Sequence, residues 1–446
     1  MKVNNKFPIT LNKESSDWKL RYCKNINSIY CVVGENGAGK TRLLNSILKQ
    51  DKKFIDLPNN SETKGYSIVK YSTSMELVDL KRDSSKYLDI STSYFLSMMN
   101  LVSLNREDSI NQVKVVLDFY DNKNIVDKKW QKLIELSNKK LSFKLTESGE
   151  AIKKYNKSYF SGQISEKYLK NFLSNFKKEI KSENKCKVLR EMEEILIIKF
   201  IAIFTSEIIS LADKTDFNDN SESDILELFN KLKDKIFNRK TDYESELKSF
   251  LENDSKKSVK GKMIALENFF KNFNDFRNKL KESYLISNID DIEALKTIIN
   301  MICNNEKDGW ITKEVFSVLE IEWNGLSSGE LALLNLLGRL NSITNQLKDN
   351  VLLLIDEVDL GMHPEWQRKW VKDVLPIIGK ILHKKNRSVH VILTTHSPII
   401  LSDFMKEDVI YLQDIDYDVN FDYILITPTF GFGEVPVAVS KFLKEN

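Results

Sequence analysis

Residues 34–41 read GENGAGKT, and this short stretch indicates the type of fold that the 446-residue chain adopts. It matches the pattern G-x-x-x-x-G-K-T, in which Lys40 and Thr41 follow two spaced glycines. The apolar run SIYCVV precedes the loop and the helix-prone RLLNSILKQ follows it, so we expect a strand, a tight loop and a helix. In such a loop, backbone amides and the positive end of the helix dipole surround a phosphate group.

The loop predicts a nucleotide site on its own backbone. Lys40 is expected to reach the β- and γ-phosphates, and the hydroxyl of Thr41 is expected to ligate magnesium. A glycine turn that merely caps an ordinary helix is the structural alternative. The predicted nucleotide-binding residues of this loop are Gly34, Glu35, Asn36, Gly37, Ala38, Gly39, Lys40, Thr41 and Arg42.

The rest of the predicted sheet lies near the other end of the chain. NVLLLIDE at 350–357 and SVHVILTTHS at 388–397 are short continuous apolar runs. Such runs are typical of strands that are buried on both faces of a largely parallel sheet. Helices are expected at 328–346 and 365–385. The sequence that forms the sheet is therefore split into two distant halves.

The middle of the chain predicts an insert between these halves. All seven prolines fall at or before Pro58 or at or after Pro364, and a stretch without proline favours long helices. The helices predicted there are 85–118, 126–138, 163–183, 187–213, 223–255, 262–282 and 288–303. We therefore predict an α/β domain with a mixed, largely parallel sheet, split by a long all-helical insert. The predicted divisions are 1–75, 76–310 and 311–446.

Composition and charge favour a soluble, cytoplasmic protein. The 67 basic and 64 acidic residues nearly balance, which gives little support to a nucleic-acid or membrane surface. The four cysteines show no paired spacing for zinc or disulfides. The most apolar stretch, 195–211, carries Lys199 and Glu207 and is too short and too charged for a membrane span.

Two acidic residues end the apolar run VLLLIDE, at the predicted carboxyl edge of the sheet where ligands bind in such folds. Asp356 is predicted to hold magnesium, directly or through water. Glu357 is predicted to orient and polarise the attacking water and to accept its proton. Two solvated acids in a loop are the structural alternative.

A histidine and a serine pair complete the set of candidate residues. His396 follows the apolar strand ILTT, and its imidazole is predicted to contact the γ-phosphate, although a lone histidine in this position is usually structural. Residues 326–330 read LSSGE at the start of a predicted helix, a second N-terminus suited to an anion. A serine pair that only caps the helix is the alternative. The candidate residues of this stretch are Ser327, Ser328, Gly329 and Glu330.

Taken together, these four motifs resemble those of the ABC-class ATPases. GENGAGKT is similar to the Walker A motif, LSSGE to the signature sequence, LLLIDE to Walker B and His396 to the switch histidine. The resemblance covers about 1–75 and 311–446. It implies ATP and Mg²⁺ as ligands, ATP hydrolysis as the reaction, and contact of Ser327 and Gly329 with a partner subunit's nucleotide. A homodimer or a higher homo-oligomer is therefore expected.

Within this class, DEVDLGMHPEWQ at 356–367 resembles the OLD-family and RecF-like branch. His363 stands at the dimer-facing loop position of that branch, or else it simply caps a helix. HSPIILSDFMKEDVIYL and PTFGFG resemble the ATPase subunits of prokaryotic defence systems: Septu, PARIS and retron-associated relatives. The resemblance implies a slow ATPase that regulates a separate effector, a nuclease or toxin, in anti-phage defence.

The sequence departs from the family pattern at three points. Val358 stands where many relatives have proline, and no glutamine loop follows YSIVKYS at 66–72. The chain ends at Asn446 and contains no HNH-like cluster of cysteine and histidine, so we expect any nuclease or toxin on another polypeptide.

Three other functions stay open at this level. A DNA-repair or DNA-maintenance ATPase of RecF or SMC-like type predicts binding that weakens steeply with salt, so nucleic acid is left open as a partner. A transporter subunit is disfavoured by the large insert and the missing glutamine loop, and no membrane partner is expected. The last alternative is a nucleotide-gated scaffold with negligible turnover.

Overall fold

The computed structural model describes both flanks of the chain and parts of its middle. The described residues are 8–11, 24–35, 37–57, 65–72, 87–99, 101–121, 138–146, 189–192, 195, 276, 278–303, 315–360, 362–383 and 386–412. Most of the predicted insert lies outside them. The helices that fall wholly or mostly outside the described residues are those predicted at 126–138, 163–183, 187–213, 223–255 and 262–282.

Regular elements follow one another along the described chain. The strands are β1 (Ile9–Thr10), β2 (Ser28–Gly34), β3 (Ile55–Asp56), β4 (Tyr66–Ser72), β5 (Leu88–Asp89), β6 (Lys140–Leu145), β7 (Ser283–Leu285), β8 (Leu319–Asn324), β9 (Asn350–Asp356), β10 (Ser388–Thr394) and β11 (Val409–Leu412). The α-helices are α1 (Lys40–Leu48), α2 (Thr92–Met98), α3 (Leu101–Asp121), α4 (Ile289–Cys303), α5 (Ser328–Ile343), α6 (Pro364–Lys369), α7 (Leu375–Leu382) and α8 (Pro398–Leu401). A π-helical turn, Trp370–Val374, joins α6 to α7.

The chain divides into two compact units. The first consists of Met1–Glu135 and Ser327–Asn446, and the second of Leu136–Leu326. This division differs from the predicted insert 76–310 at both ends. The helix α3 packs against α5 within the first unit, and β8 pairs with β6 within the second.

A six-stranded sheet with the order β11-β2-β10-β9-β4-β5 forms the centre of the first unit. Each pair of neighbouring strands is parallel, as the continuous apolar runs predicted. Parallel pairing brings the carboxyl ends of the strands to one edge. Thr394 on β10 is opposite Val32 on β2, and Asp356 on β9 is opposite Ser72 on β4.

Both faces of this sheet are covered. The helix α1 packs on one face, and its core includes Leu43, Leu44, Ile47, Val32, Leu352, Leu354 and Ile392. Successive side chains of a strand point to opposite faces, so the residues between these on β9 belong to the other face. They are also fully buried: Val351, Leu353 and Ile355. Burial on both faces explains why these strands show no alternation of polar and apolar residues.

The helix predicted at 85–118 is wrong in its first part. Leu88 and Asp89 form the short edge strand β5, which pairs with Val69 and Lys70 of β4. The remainder is two helices, since Met99, the residue that ends α2, has an extended backbone with φ −145° and ψ 161°. The helix predicted at 288–303 is confirmed as α4.

An all-helical insert is also wrong for the part of the insert that the structure describes. The strands β7, β6 and β8 form an antiparallel sheet in that order within the second unit. Phe143 on β6 and Tyr284 on β7 pack edge to face, with ring centroids 5.8 Å apart. Both side chains are buried. Such aromatic contacts between strands stabilise a sheet.

A buried ion pair fixes α5 against α3 in the first unit. Arg339 donates from Nε to Asp108 Oδ1 at 2.7 Å and from a terminal nitrogen to Oδ2 at 2.6 Å. A further guanidinium nitrogen donates to the carbonyl of Ile90 at 3.0 Å. Close packing accompanies the pair, because a Cβ at Gly338 would lie 2.8 Å from the backbone of Asn111.

We predict that Asp108→Ala lowers the free energy of unfolding by about 3–5 kcal/mol, because it leaves the Arg339 cation buried without its carboxylate. Equilibrium urea unfolding measures this. The double change Asp108→Leu with Arg339→Met removes both charges and is expected to restore most of the stability. As a control, Glu293→Gln breaks the exposed Lys296–Glu293 pair, at a cost of less than about 0.5 kcal/mol. Equal losses of unfolding free energy from Asp108→Ala and Glu293→Gln would contradict the prediction.

Candidate functional site

The phosphate loop joins β2 to α1 at the carboxyl edge of the sheet. Gly37 and Gly39 both have φ +88°, a left-handed backbone that favours glycine. Gly39 precedes α1 and provides no side-chain cap for the first-turn amides of that helix. Gly34 is required for another reason, since a Cβ there would lie 2.5 Å from the carbonyl oxygen of Leu412 on β11. The glycines thus shape a loop whose amides suit a phosphate.

Lys40 lies back over this loop. Its side chain is only 6% exposed, and Nζ donates to the carbonyls of Gly34 at 2.9 Å and Glu35 at 3.0 Å. The same Nζ lies 3.5 Å from Nδ1 of His396, an exposed residue that follows β10. The structure therefore brings together two predicted catalytic residues that are 356 positions apart in the sequence.

Asp356 and Glu357 are oriented by the hydroxyl of Thr394 on the neighbouring strand. This hydroxyl donates to Asp356 Oδ1 at 2.5 Å and accepts from the amide of Glu357 at 2.8 Å. Glu357 has φ +52°, so the chain turns sharply as it leaves β9. A non-glycine residue in this conformation is strained and is characteristic of functional sites. Thr394 supplies one of the hydrogen bonds that hold the turn.

The surroundings of Asp356 fit a magnesium ligand. Its carboxylate is 1% exposed, and Oδ2 has no hydrogen-bond partner among the described residues. A buried carboxylate oxygen without a partner is costly unless a ligand or water satisfies it. The described residues contain no cluster of three or more metal-ligating side chains. Magnesium usually retains waters and takes only one or two carboxylates plus substrate phosphates, so a single buried carboxylate is a chemically suitable donor.

Asp359 holds the segment that carries His396. Its Oδ1 accepts from the hydroxyl of Thr395 at 2.5 Å and from the amide of His396 at 3.1 Å. The loop after β9 is thereby tied to the loop after β10.

Asp359, together with Asp408, also lies near the thiol of Cys31. Burial raises the pKa of that thiol well above its usual range, and the two carboxylates add to the rise. Cys31 is therefore a neutral core residue.

The serine stretch forms the start of α5, as predicted. The Ser327 hydroxyl accepts from the amide of Glu330 at 3.3 Å, and the Glu330 carboxylate accepts from the amide of Ser327 at 2.7 Å. This reciprocal pair is a capping box. Ser327 and Ser328 are exposed, whereas Gly329 lies against the indole of Trp366 on α6. A Cβ at Gly329 would lie 2.9 Å from the indole nitrogen.

His363 caps α6. Its Nδ1 accepts from the amide of Glu365 at 3.3 Å, and Pro364 occupies the first helical position. This is the structural role that the sequence left open. The dimer-facing role of His363 stays a prediction.

Most of the predicted loop residues are placed by the structure. Thr41 and Arg42 lie in the first turn of α1, Thr41 partly buried and Arg42 exposed, while Ala38 is partly buried and Gly37 exposed within the loop. Asn36 lies outside the described residues. The strand YSIVKYS is confirmed as β4, and the residues that follow it, 73–86, are not described.

Sequence reasoning missed several residues that shape this site: Thr394, Thr395, Asp359, Trp366 and Gln367. The polar pair TT at the end of the apolar run of β10 was the one signal for the two threonines, because side chains at this end of a strand lie at the ligand edge. The roles of the other three depend on contacts between distant parts of the chain. No local sequence pattern predicts such contacts.

This combination of phosphate loop, acidic strand end and histidine defines an ATPase class. The sequence profile of the AAA ATPase domain family matches residues 16–401, and the chain belongs to this family. Membership indicates nucleotide binding and an ATPase activity. No helix among the described residues is long and apolar enough to cross a membrane.

Two curated relatives agree with the resemblance drawn from the motifs. The chain is 24% identical to the retron Vc95 probable ATPase of Vibrio cholerae serotype O1 biovar El Tor over 436 residues, which span 92% of this chain and 73% of the relative. It is also 24% identical to the Septu protein PtuA of Bacillus thuringiensis over 198 residues, 39% of this chain and 48% of the relative. Similarity to retron-associated and Septu proteins is thus confirmed.

We predict that Thr394→Val weakens both the fold and the site. Valine has nearly the same shape but leaves Asp356 Oδ1 without a donor and the amide of Glu357 without this acceptor. The expected loss is about 1–3 kcal/mol in unfolding free energy, with a lower kcat for ATP hydrolysis. Urea unfolding and a phosphate-release assay measure the two effects.

Thr394→Ser is the matched control, because it keeps the hydroxyl and loses only a methyl group. It is expected to retain most of the activity. If Thr394→Val hydrolysed ATP at the rate of the unaltered chain, the hydroxyl would have no part in orienting the acidic pair.

Proposed function

We propose that the chain binds ATP with Mg²⁺, hydrolyses it slowly within ATP-sandwich dimers, and thereby regulates a separate effector protein in anti-phage defence. The observation that carries the ATPase assignment is the meeting of Lys40 Nζ and His396 Nδ1, 3.5 Å apart, at the sheet edge where Asp356 ends β9. Residues from both ends of the chain converge there on one place for a triphosphate.

Each residue then has a distinct task. The backbone amides of residues 37–41 and the ammonium group of Lys40 bind the phosphates. A glycine loop before a helix offers an anion both hydrogen-bond donors and positive charge. Thr41 and Asp356 would hold Mg²⁺, which supplies charge neutralisation on the phosphate oxygens. Glu357 orients the attacking water and accepts its proton, and Thr394 and the turn at φ +52° aim this carboxylate. His396 donates to the γ-phosphate from the loop that Asp359 holds.

The dimer is supported by the way α5 begins. Its N-cap Ser327 and its first residue Ser328 are exposed, while Trp366 lies where a Cβ of Gly329 would be. The amides of a helix N-terminus attract an anion, and here the serine side is open to receive one from outside. By resemblance to the ABC class, that anion is the γ-phosphate bound by the partner's phosphate loop.

The defence role is supported by the relatives. One is named a retron probable ATPase and the other a Septu protein. The motifs of this chain resemble those of the ATPase subunits of such defence systems, which supports a role in anti-phage defence. We propose that the effector here, a nuclease or a toxin, is a separate polypeptide. Release or activation of that effector would follow the nucleotide state of the dimer.

We predict that Glu357→Gln slows hydrolysis by roughly 10²-fold or more, because glutamine cannot accept the proton of the attacking water. The trapped ATP is expected to hold two chains together. Mass measurement of the purified variant, with and without ATP and Mg²⁺, should therefore show an ATP-dependent increase. Adding Ser327→Arg in the same chain should abolish the increase, since a bulky cation then blocks the open turn of α5.

Ser342→Arg is the matched control, because it places the same side chain on an exposed position near the other end of α5. This control should leave the ATP-dependent increase intact. If Glu357→Gln shows no ATP-dependent increase, or if Ser327→Arg leaves it unchanged, α5 does not contact a partner's nucleotide.

A further inference from the structure

Two adjacent side chains on α6 connect the site to α5. Gln367 accepts at Oε1 from the Ser397 hydroxyl at 2.6 Å and donates from Nε2 to the Met362 carbonyl at 2.9 Å. Both ends of the amide are used, so its orientation is fixed. Trp366 lies with its indole nitrogen 2.9 Å and Cδ1 3.0 Å from the place where a Cβ of Gly329 would be. We call Trp366 and Gln367 the α6 bridge.

The Gln367 end of the α6 bridge reaches the nucleotide site. Ser397 is buried and follows His396, whose Nδ1 faces Lys40. The Ser397 hydroxyl also accepts from the amides of Ile399 and Ile400, so it caps α8. A shift of His396 towards a bound phosphate therefore moves Ser397, and with it the atom that Gln367 holds.

The Trp366 end reaches the residue that opens α5. Gly329 has no side chain, and the indole packs directly against its Cα. Consecutive residues of a helix point about 100° apart. Two adjacent residues of the short helix α6 can therefore contact two different elements. The π-helical turn that follows α6 is a wider geometry that frequently occurs at functional sites.

We propose that Trp366 and Gln367 are positioning residues through which ATP in a chain's own site sets the placement of that chain's α5 N-terminus. This inference rests on the proposed function, in which α5 serves the nucleotide of another chain. Occupancy of one site then prepares the same chain to complete the second site. The α6 bridge makes assembly dependent on ATP in both chains.

The test follows α5 in a chain that carries Ser328→Arg, an exposed position whose substitution blocks the contact with a partner's nucleotide and keeps the Ser327–Glu330 capping box. A fluorophore on Leu331→Cys reports the position of α5, since Leu331 is 40% exposed and two residues beyond Gly329. Cys23, Cys186 and Cys303 are replaced by serine. Cys31 is fully buried, and burial raises the pKa of its thiol, so it is expected to stay unlabelled by a maleimide.

ATP with Mg²⁺ is expected to change the emission of the label. We predict that Gln367→Ala reduces this change at least about fivefold, while the Kd for ATP stays within about twofold. Trp366→Phe should act in the same way, and the double variant no more strongly than either single one, because the residues form one path. Gln367→Glu keeps the acceptor for Ser397 and should restore part of the response.

Arg368→Ala, an exposed position on the same helix, is the matched control and should leave the response unchanged. Coupling through the α6 bridge is excluded if the label responds fully in both Gln367→Ala and Trp366→Phe. It is also excluded if the affinity for ATP falls in parallel with the response of the label. The proposal would also be overturned if ATP bound to the chain with unaltered Trp366 and Gln367 but left the emission of the label unchanged. The mass measurement with Glu357→Gln decides the dimer separately, and absence of ATP binding would remove both proposals together.

Discussion

The position of β10 between β2 and β9 is the constraint on which the site depends. The strands β2 and β10 are parallel neighbours although more than 350 residues separate them. Because β10 also pairs with β9, the ends of all three strands reach the same edge. The phosphate loop, the acidic pair and the histidine could not meet without this pairing. The site is therefore formed only when the two halves of the chain fold together.

Two threonine side chains fix the positions of the acidic groups at this shared edge. Thr394 joins the acidic turn to β10, and Thr395 joins Asp359 to the segment that carries the histidine. Both hydroxyls bind carboxylates, and hydrogen bonds to charged groups are stronger than those between neutral groups. A buried carboxylate such as Asp356 is tolerated where hydrogen bonds and a cation can satisfy it. The same contacts thus stabilise the fold and aim the candidate catalytic groups.

Much of the first unit could be predicted from sequence, because its strands are buried on both faces and its phosphate loop has strict residue requirements. The strand β4 and the start of α5 follow from local signals, the strand-like run YSIVKYS and a serine cap. The antiparallel sheet of the second unit could not be predicted. Strands β6 and β7 are short and lie more than 130 residues apart, so neither shows a pattern that distinguishes it from a helix end. The contact of Trp366 with Gly329 could not be predicted from the sequence either, since glycine carries no side chain that would indicate a partner.

The capping box of α5 also constrains the linker that precedes it. Only Gly325, Leu326 and Ser327 separate the last residue of β8 from the first residue of α5, a tether of about 10 Å when extended. Gly325 has φ +90°, and Ser327 makes the cap itself. The linker between the two units is therefore short, and its last residue is the capping residue of α5. Because Ser327 belongs both to this linker and to the cap, the linker cannot be altered at that residue without also altering the start of α5.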